Sequence, residues 1–204
     1  MDQKRKFSYY NISTWPERGI NYWGIPKCGN TSIKYALRGC RPDRYEEHDQ
    51  AEWVHHKDQA EYITPDEALS NGRTNITVVR HPYDRVMSLY RDFVLRRPKN
   101  HSKGARTLEN FIYNVIIESD DTIDTNLHYR SISYFIANTN RTSLLVDKVF
   151  DISNIDYVYQ KYGLDNIVLN KSPVYTEDAL STVHKKLIFN RYRDDFRLLG
   201  YWEL

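Results

Sequence analysis

Ile25-Pro26-Lys27-Cys28-Gly29-Asn30-Thr31-Ser32-Ile33 follows an apolar run from Ile20 to Ile25. It leads into a helix-like segment, Ile33, Ala36 and Leu37, that stops at Gly39. A lysine, a glycine and then Asn-Thr-Ser at a helix start make a compact anion site. There the first-turn N–H groups, the helix dipole, two hydroxyls and an ammonium converge on one phosphate or sulfate. The stretch is not a Walker A loop, in which Lys immediately precedes Ser or Thr; here Lys27 comes first and the hydroxyls follow at Thr31 and Ser32. Read alone, it also fits an ordinary strand-to-helix turn with Asn30 or Thr31 as N-cap.

A second stretch, Asn75-Ile76-Thr77-Val78-Val79-Arg80-His81-Pro82-Tyr83-Asp84-Arg85-Val86-Met87-Ser88-Leu89-Tyr90-Arg91, repeats the strand, break and helix pattern. Val78 and Val79 favour a strand, and Pro82 suits a first helical position. Val86, Leu89, Tyr90, Phe93 and Val94 then recur as a core-facing stripe that stops at Arg97 before Pro98. Arg80 is thereby left at the C-terminal end of a strand, where open α/β sheets bind ligands, and Ser88 lies to the side of the stripe. A guanidinium and a hydroxyl are well matched to phosphate oxygens.

The two patterns, in this order, resemble the carbohydrate (Golgi-type) sulfotransferase family, including the heparan and chondroitin sulfotransferases. The resemblance implies a sulfuryl donor, 3′-phosphoadenosine 5′-phosphosulfate, and no metal. It places Lys27, Cys28, Gly29, Asn30, Thr31 and Ser32 around the 5′-phosphosulfate, Arg80 and Ser88 on the 3′-phosphate, and Lys171, in Asn170-Lys171-Ser172, near the cofactor. Lys27 would also stabilise charge on the leaving phosphate. Some relatives use a histidine base between the two phosphate motifs, and this implies His56, ahead of His55, with Glu46, Glu47 and Glu52 behind them. The ending Tyr192-x-x-Asp195-Phe196-x-x-x-Gly200-Tyr201 is similar to the family's terminal helix. One departure stands out: where many relatives carry His-x-x-x-Gln, this chain has His128 followed by Ile132.

The implied fold is α/β: a three-layer parallel sheet with helices on both faces, in a core that resembles P-loop nucleotide-binding proteins. Expected strands are 21–25, 53–56, 75–80, 148–152 and 167–169. Expected helices are 31–38, 82–96, 107–118, 126–137, 155–162 and 176–199, the last divided or kinked. With 204 residues, 40% apolar and 14% aromatic, one domain is expected, preceded by an arm over residues 1–18.

No apolar run reaches the roughly 18 residues of a membrane span, and Met1 to Lys6 is not followed by the apolar core of a signal peptide. A soluble, cytoplasmic protein is expected. Cys28 and Cys40 bracket the first helix, about 15 Å apart along it, too far for a disulfide. Seven histidines show no zinc-like spacing. Asn-x-Ser/Thr triplets, among them those at Asn11, Asn30, Asn75, Asn140 and Asn170, read as chance occurrences because two of these fall in cofactor or strand segments.

Charge is unevenly spread. Six cations and a single acid occupy residues 91–106, and five acids with no Lys or Arg follow over residues 107–127. The basic run reads as a solvated loop partnered by the acidic stretch, or as a field that steers an anionic glycan acceptor. No nucleic-acid module accompanies it. Two other functional classes fit the same loops. A nucleotide kinase would need a Mg²⁺-binding acid and ATP, and a non-catalytic nucleotide- or glycan-binding protein would lack a working base.

Overall fold

The computed structural model describes residues 12–39, 61–96, 103–122, 124–167, 169 and 180–201. The chain forms two compact units. One comprises Met1–Val79 with Leu145–Asn170, the other Arg80–Leu144 with Lys171–Leu204.

The first unit is a mixed α/β structure around a five-stranded sheet. Its strands are β1 (Ile12–Trp15), β2 (Ile20–Trp23), β3 (Glu61–Tyr62), β4 (Thr74–Val79) and β5 (Lys148–Asp151), in the order β3-β1-β2-β4-β5. β2, β4 and β5 are parallel, while β1 runs antiparallel to both β2 and β3. The wholly parallel sheet expected from the sequence is therefore corrected to a mixed one. The reason is local: Pro16–Arg18 forms one 3₁₀ turn, and Gly19 at φ 64° donates its amide to the Pro16 carbonyl. So short a connection can only return a strand antiparallel. β1, all four residues of which are buried, lies within the segment read as an arm.

Helices α1 (Asn30–Arg38), α2 (Pro65–Ser70) and α6 (Ile155–Lys161) also belong to this unit, with a 3₁₀ turn at Ile152–Asn154 before α6. Tyr22, Ile33, Ala36, Leu37, Val78, Val158 and Tyr159 belong to one buried cluster, so β2 and β4 pack against α1 and α6. A second group of side chains around β2 and β4 is polar. Asn21 and Asn75 are register partners across the two strands. The Asn21 amide lies within reach of the Asn75 and Asn71 side-chain oxygens and the Ala68 carbonyl (3.0–3.1 Å), and Thr14 donates to its oxygen at 2.8 Å. Trp23 Nε1 donates to Asn75 at 2.9 Å. A one-residue slip would strand these groups without partners, so the network specifies the pairing. It also buries Asn75, which cannot serve as a glycan acceptor in the folded chain.

Of the strand expected over residues 167–169, the described residues Ile167 and Leu169 lie in no strand. Ile167 and Leu169 are held by side chains instead: Tyr159 Oη donates to the Ile167 carbonyl at 2.7 Å, and the Leu169 amide donates to Ser32 Oγ at 2.9 Å. The expected strand over residues 53–56 lies outside the described residues.

The second unit is helical. α3 (Pro82–Tyr90) continues into a π-helical turn at Arg91–Arg96, and α4 (Leu108–Phe111) into another at Ile112–Ile117. α5 (Ile132–Ile136), α7 (Thr182–Arg191) and α8 (Arg193–Leu199) follow, α7 and α8 being the two parts of the divided terminal helix. Val86, Leu89, Phe93, Phe111, Ile112, Val115, Ile188 and Phe196 share one core, in keeping with the apolar stripe of the sequence.

α5 is much shorter than the helix expected over residues 126–137. Arg85, buried on α3, donates to the carbonyls of Arg130 (2.9 Å) and His128 (3.0 Å), and Ser131 caps the helix by accepting from the Tyr134 amide. Asp195 on α8 supplies the remaining cap: its two oxygens accept from the amides of Ile132 and Ser133, each at 2.7 Å. Within the acidic stretch, Asp121 is bridged by Arg141 (2.6 Å) and Arg191 (3.1 Å).

Asp195 is fully buried, and removing its carboxylate leaves two buried amides without acceptors. Asp195→Ala is expected to lower the unfolding free energy by about 2–3 kcal/mol. Asp195→Asn, which keeps one acceptor oxygen, is expected to lose less. Urea titrations of the three proteins check this, and an alanine variant as stable as the wild type would show that water replaces the cap.

Candidate functional site

Beyond β2, the chain turns through Pro26–Gly29 into α1. Lys27 (φ 68°) and Gly29 (φ 74°) both take the left-handed conformation, an uncommon cost for lysine. Gly29 stands at the N-cap, where it brings no side chain to cap the helix. The first helical bond runs from the Ile33 amide to the Gly29 carbonyl at 3.0 Å, so the amides ahead of it form the helix's electropositive end. A Cβ built on Gly29 would lie 3.3 Å from Ile155 Cδ1 and 3.4 Å from Ile152 Cδ1. The turn is thus seated against the start of α6, where only glycine fits without displacing a neighbour.

The side chains of this turn divide into two groups. Lys27, Asn30 and Thr31 are half-buried, and Asn30 Oδ1 has no hydrogen-bond partner among the described residues. Cys28 and Ser32 point inward. The Cys28 thiol fills space beside Tyr22, whose hydroxyl burial holds well above the ordinary tyrosine range. The Ser32 hydroxyl is engaged with Leu169. The turn can receive an anion through backbone amides, an ammonium and the Thr31 hydroxyl. Such a donor set suits the end of a phosphosulfate.

In the second unit, Arg80 is the residue next after Val79, the end of β4, and it is half-buried. His81 is the N-cap of α3, its Nδ1 accepting from the Tyr83 amide at 3.3 Å. Its ring lies against Tyr83, Tyr201 and Phe196 at centroid distances of 4.9, 4.7 and 5.5 Å. Sequence reasoning missed this aromatic box, because Phe196 and Tyr201 stand more than a hundred residues from His81 and Tyr83. Ser88 is buried, 5% exposed, on α3. Arg85 donates to the main-chain carbonyls of Arg130 and His128.

Ile132 occupies the position of the glutamine seen in relatives, and it is wholly buried at the start of α5. His128 is half-buried. Its backbone amide (3.0 Å) and Nδ1 (2.8 Å) both meet Asn126 Oδ1. A backbone N–H can only donate, so that oxygen is the acceptor and Nδ1 carries the hydrogen. His55, His56 and Lys171 lie outside the described residues. Among the described residues no group of ligating side chains could hold a metal, and no helix is long and apolar enough to cross a membrane.

Residues 10–153, well over half of the chain, match the family model described as the sulfotransferase family. No curated protein and no solved structure matches the chain.

One further titratable group lies on α1. Lys34 is wholly buried; its Nζ donates to Tyr62 Oη at 3.1 Å and sits 4.7 Å from the centre of that ring. Burial lowers its pKa from 10.5 to about 7. Between these values the unfolded chain holds a proton that the folded chain has released, so stability rises with pH across that window. From about pH 7 to about pH 10 the wild type is expected to gain stability relative to Lys34→Met. Parallel pH profiles of urea unfolding check the sign, and parallel curves without divergence would show that Lys34 stays charged.

Proposed function

The chain belongs to the sulfotransferase family, and we propose that it moves a sulfuryl group from 3′-phosphoadenosine 5′-phosphosulfate to a hydroxyl of an anionic glycan. Sulfuryl transfer follows from the family. The donor, the acceptor class and the residue roles are our reading, supported by the start of α1 at the glycine N-cap Gly29, with Lys27 and Thr31 beside it. In this reading the three parallel strands β2, β4 and β5 belong to a three-layer core similar to that of P-loop proteins.

The donor, when bound, supplies an activated sulfuryl group on a phosphate leaving group. The transfer demands little covalent chemistry from the protein; positioning and charge stabilisation dominate, as in phosphoryl transfer. Lys27 and the amides from Gly29 to Ser32 would hold the 5′-phosphosulfate, and Lys27 would offset charge that grows on the leaving phosphate. Arg80 and Ser88 would hold the 3′-phosphate, the group that separates this donor from ATP. Lys171 would bind the same nucleotide. A neutral histidine near pH 7 suits removal of the acceptor's proton, and His56, with His55 beside it, is proposed for that role. The basic run over residues 91–106 would draw in an anionic acceptor by a salt-sensitive field. Nucleic acid is not proposed as a partner.

Calorimetric titration with 3′-phosphoadenosine 5′-phosphate, with ADP and ATP–Mg²⁺ as controls, tests the donor. Binding of the 3′-phosphorylated nucleotide alone, in the micromolar range (about −8 kcal/mol), is expected. Preference for ATP–Mg²⁺ would instead favour a kinase.

Two substitution sets divide binding from chemistry. Arg80→Ala is expected to weaken the 3′-phosphorylated ligand by roughly 10- to 100-fold, as for loss of a charged hydrogen-bonding group, and to leave ADP nearly unaffected. Equal losses for both would remove the 3′-phosphate role. His56→Ala is expected to slow turnover by about 10²- to 10⁴-fold with donor affinity kept. Full turnover in His55→Ala, His56→Ala and the double variant would exclude both histidines as the base.

A further inference from the structure

Arg91 closes α3. Its backbone is still helical, with φ −58° and ψ −40°, and its amide reaches the carbonyls of Met87 and Ser88. The π-helical turn begins at the same residue. Residues three apart on a helix are neighbours, and a helical side chain leans back over the turn before its own. Arg91 is therefore the neighbour of Ser88, which is buried one turn earlier on α3.

Arg91 is half-buried, and its Nε is buried without a hydrogen-bond partner. The other arginines of this unit that are withdrawn from solvent are mostly engaged. Arg85 and Arg130 donate to main-chain carbonyls, and Arg141 and Arg191 bridge Asp121. Arg80 and Arg91 are the exceptions: among the described residues, no carboxylate or carbonyl takes either guanidinium. The Ser88 hydroxyl likewise bonds to none of them. A half-buried guanidinium has lost part of its hydration, and folded chains seldom leave one so placed without a counter-charge or an acceptor. The partner missing from the chain is then supplied from outside it, as an anion.

We propose that Arg91 and Ser88 together hold a phosphate monoester, the 3′-phosphate of the donor, with Arg91 as a ligand additional to Arg80. A guanidinium grips two phosphate oxygens at once, and a serine hydroxyl donates one further hydrogen. Arg91 is also the first cation of the basic run, and the proposal assigns it to the nucleotide rather than to the steering of an acceptor. That the phosphate is the donor's rests on the reading given above; that the pair binds phosphate does not.

Three measurements on the full chain test it. Arg91→Met keeps the apolar stem and removes a charge that no described residue pairs, so its urea unfolding curve is expected to match the wild type. A marked loss of stability would assign the guanidinium to the fold and overturn the proposal. Calorimetric titration of the same variant is expected to show 3′-phosphoadenosine 5′-phosphate weakened by roughly 10- to 100-fold, the scale of a lost charged hydrogen bond, with adenosine 5′-phosphate nearly unaffected. Arg91→Lys, which keeps the charge without the fork, is expected to recover part of that loss. Equal losses for the two nucleotides, or none for either, would overturn the 3′-phosphate assignment. The third measurement follows the Arg91 Nε–H resonance by NMR as inorganic phosphate is added. A saturable shift is expected, reached at higher phosphate in Ser88→Ala. An unmoved resonance would overturn the pair as a phosphate site, whatever the nucleotides do. A wild-type chain that binds no 3′-phosphorylated nucleotide would sink the donor reading and the source of the phosphate with it, leaving the phosphate titration to decide the pair.

Discussion

A helix cannot pair the amides of its own first turn, and α1 begins at Gly29, which brings no side chain to cover them. Much of the first unit is arranged around that constraint. Lys27 and Gly29 take the left-handed backbone that lets the chain turn from β2 into the helix. Ile152 and Ile155 close behind Gly29, so that a larger residue would push the turn out of place. The strand that delivers the turn is held in register by Asn21 and Asn75, and the residue after the loop's hydroxyl pair is packed in the core.

The second unit solves a related problem with buried charges. The segment from His128 to Ser133 enters α5 with carbonyls and amides that no regular element pairs. Arg85 takes two of the carbonyls and Asp195 takes two of the amides, from different helices. Burial raises the pKa of Asp195 even though both amides and the nearby Arg85 favour its charged form. Ionised groups in such a place stabilise little by themselves. Their effect is to forbid alternatives, since any rearrangement leaves a charge and several main-chain groups buried without partners. His128 and the buried Ile132 are thereby fixed in place.

Local signals carried far in this sequence. Val78, Val79 and Pro82 announce a strand, a break and a helix, and the observed β4 and α3 lie within one residue of those starts. Gly39, as expected, ends α1 in the left-handed conformation. The stripe of Val86, Leu89, Tyr90, Phe93 and Val94 is buried as its spacing requires. The Lys27–Ser32 and Arg80–Ser88 patterns were legible for the same reason: main-chain geometry at a strand-to-helix junction is written in a few adjacent residues.

What lay beyond reading depended on partners distant along the chain. The hairpin that makes the sheet mixed turns on Gly19, but β1 shows no alternation because both of its faces are buried. Nothing near residues 126–131 reveals that Arg85 will claim their carbonyls and shorten α5, and nothing near Ser32 reveals Leu169. Neighbouring residues determined the strand-to-helix junctions, the turn from Lys27 to Ser32 and the family. Tertiary structure decided the strand directions, the commitments of Arg85 and Ser32, and the boxed ring of His81. A hydroxyl or guanidinium carries the same donors wherever it stands, and only folding chooses the acceptor.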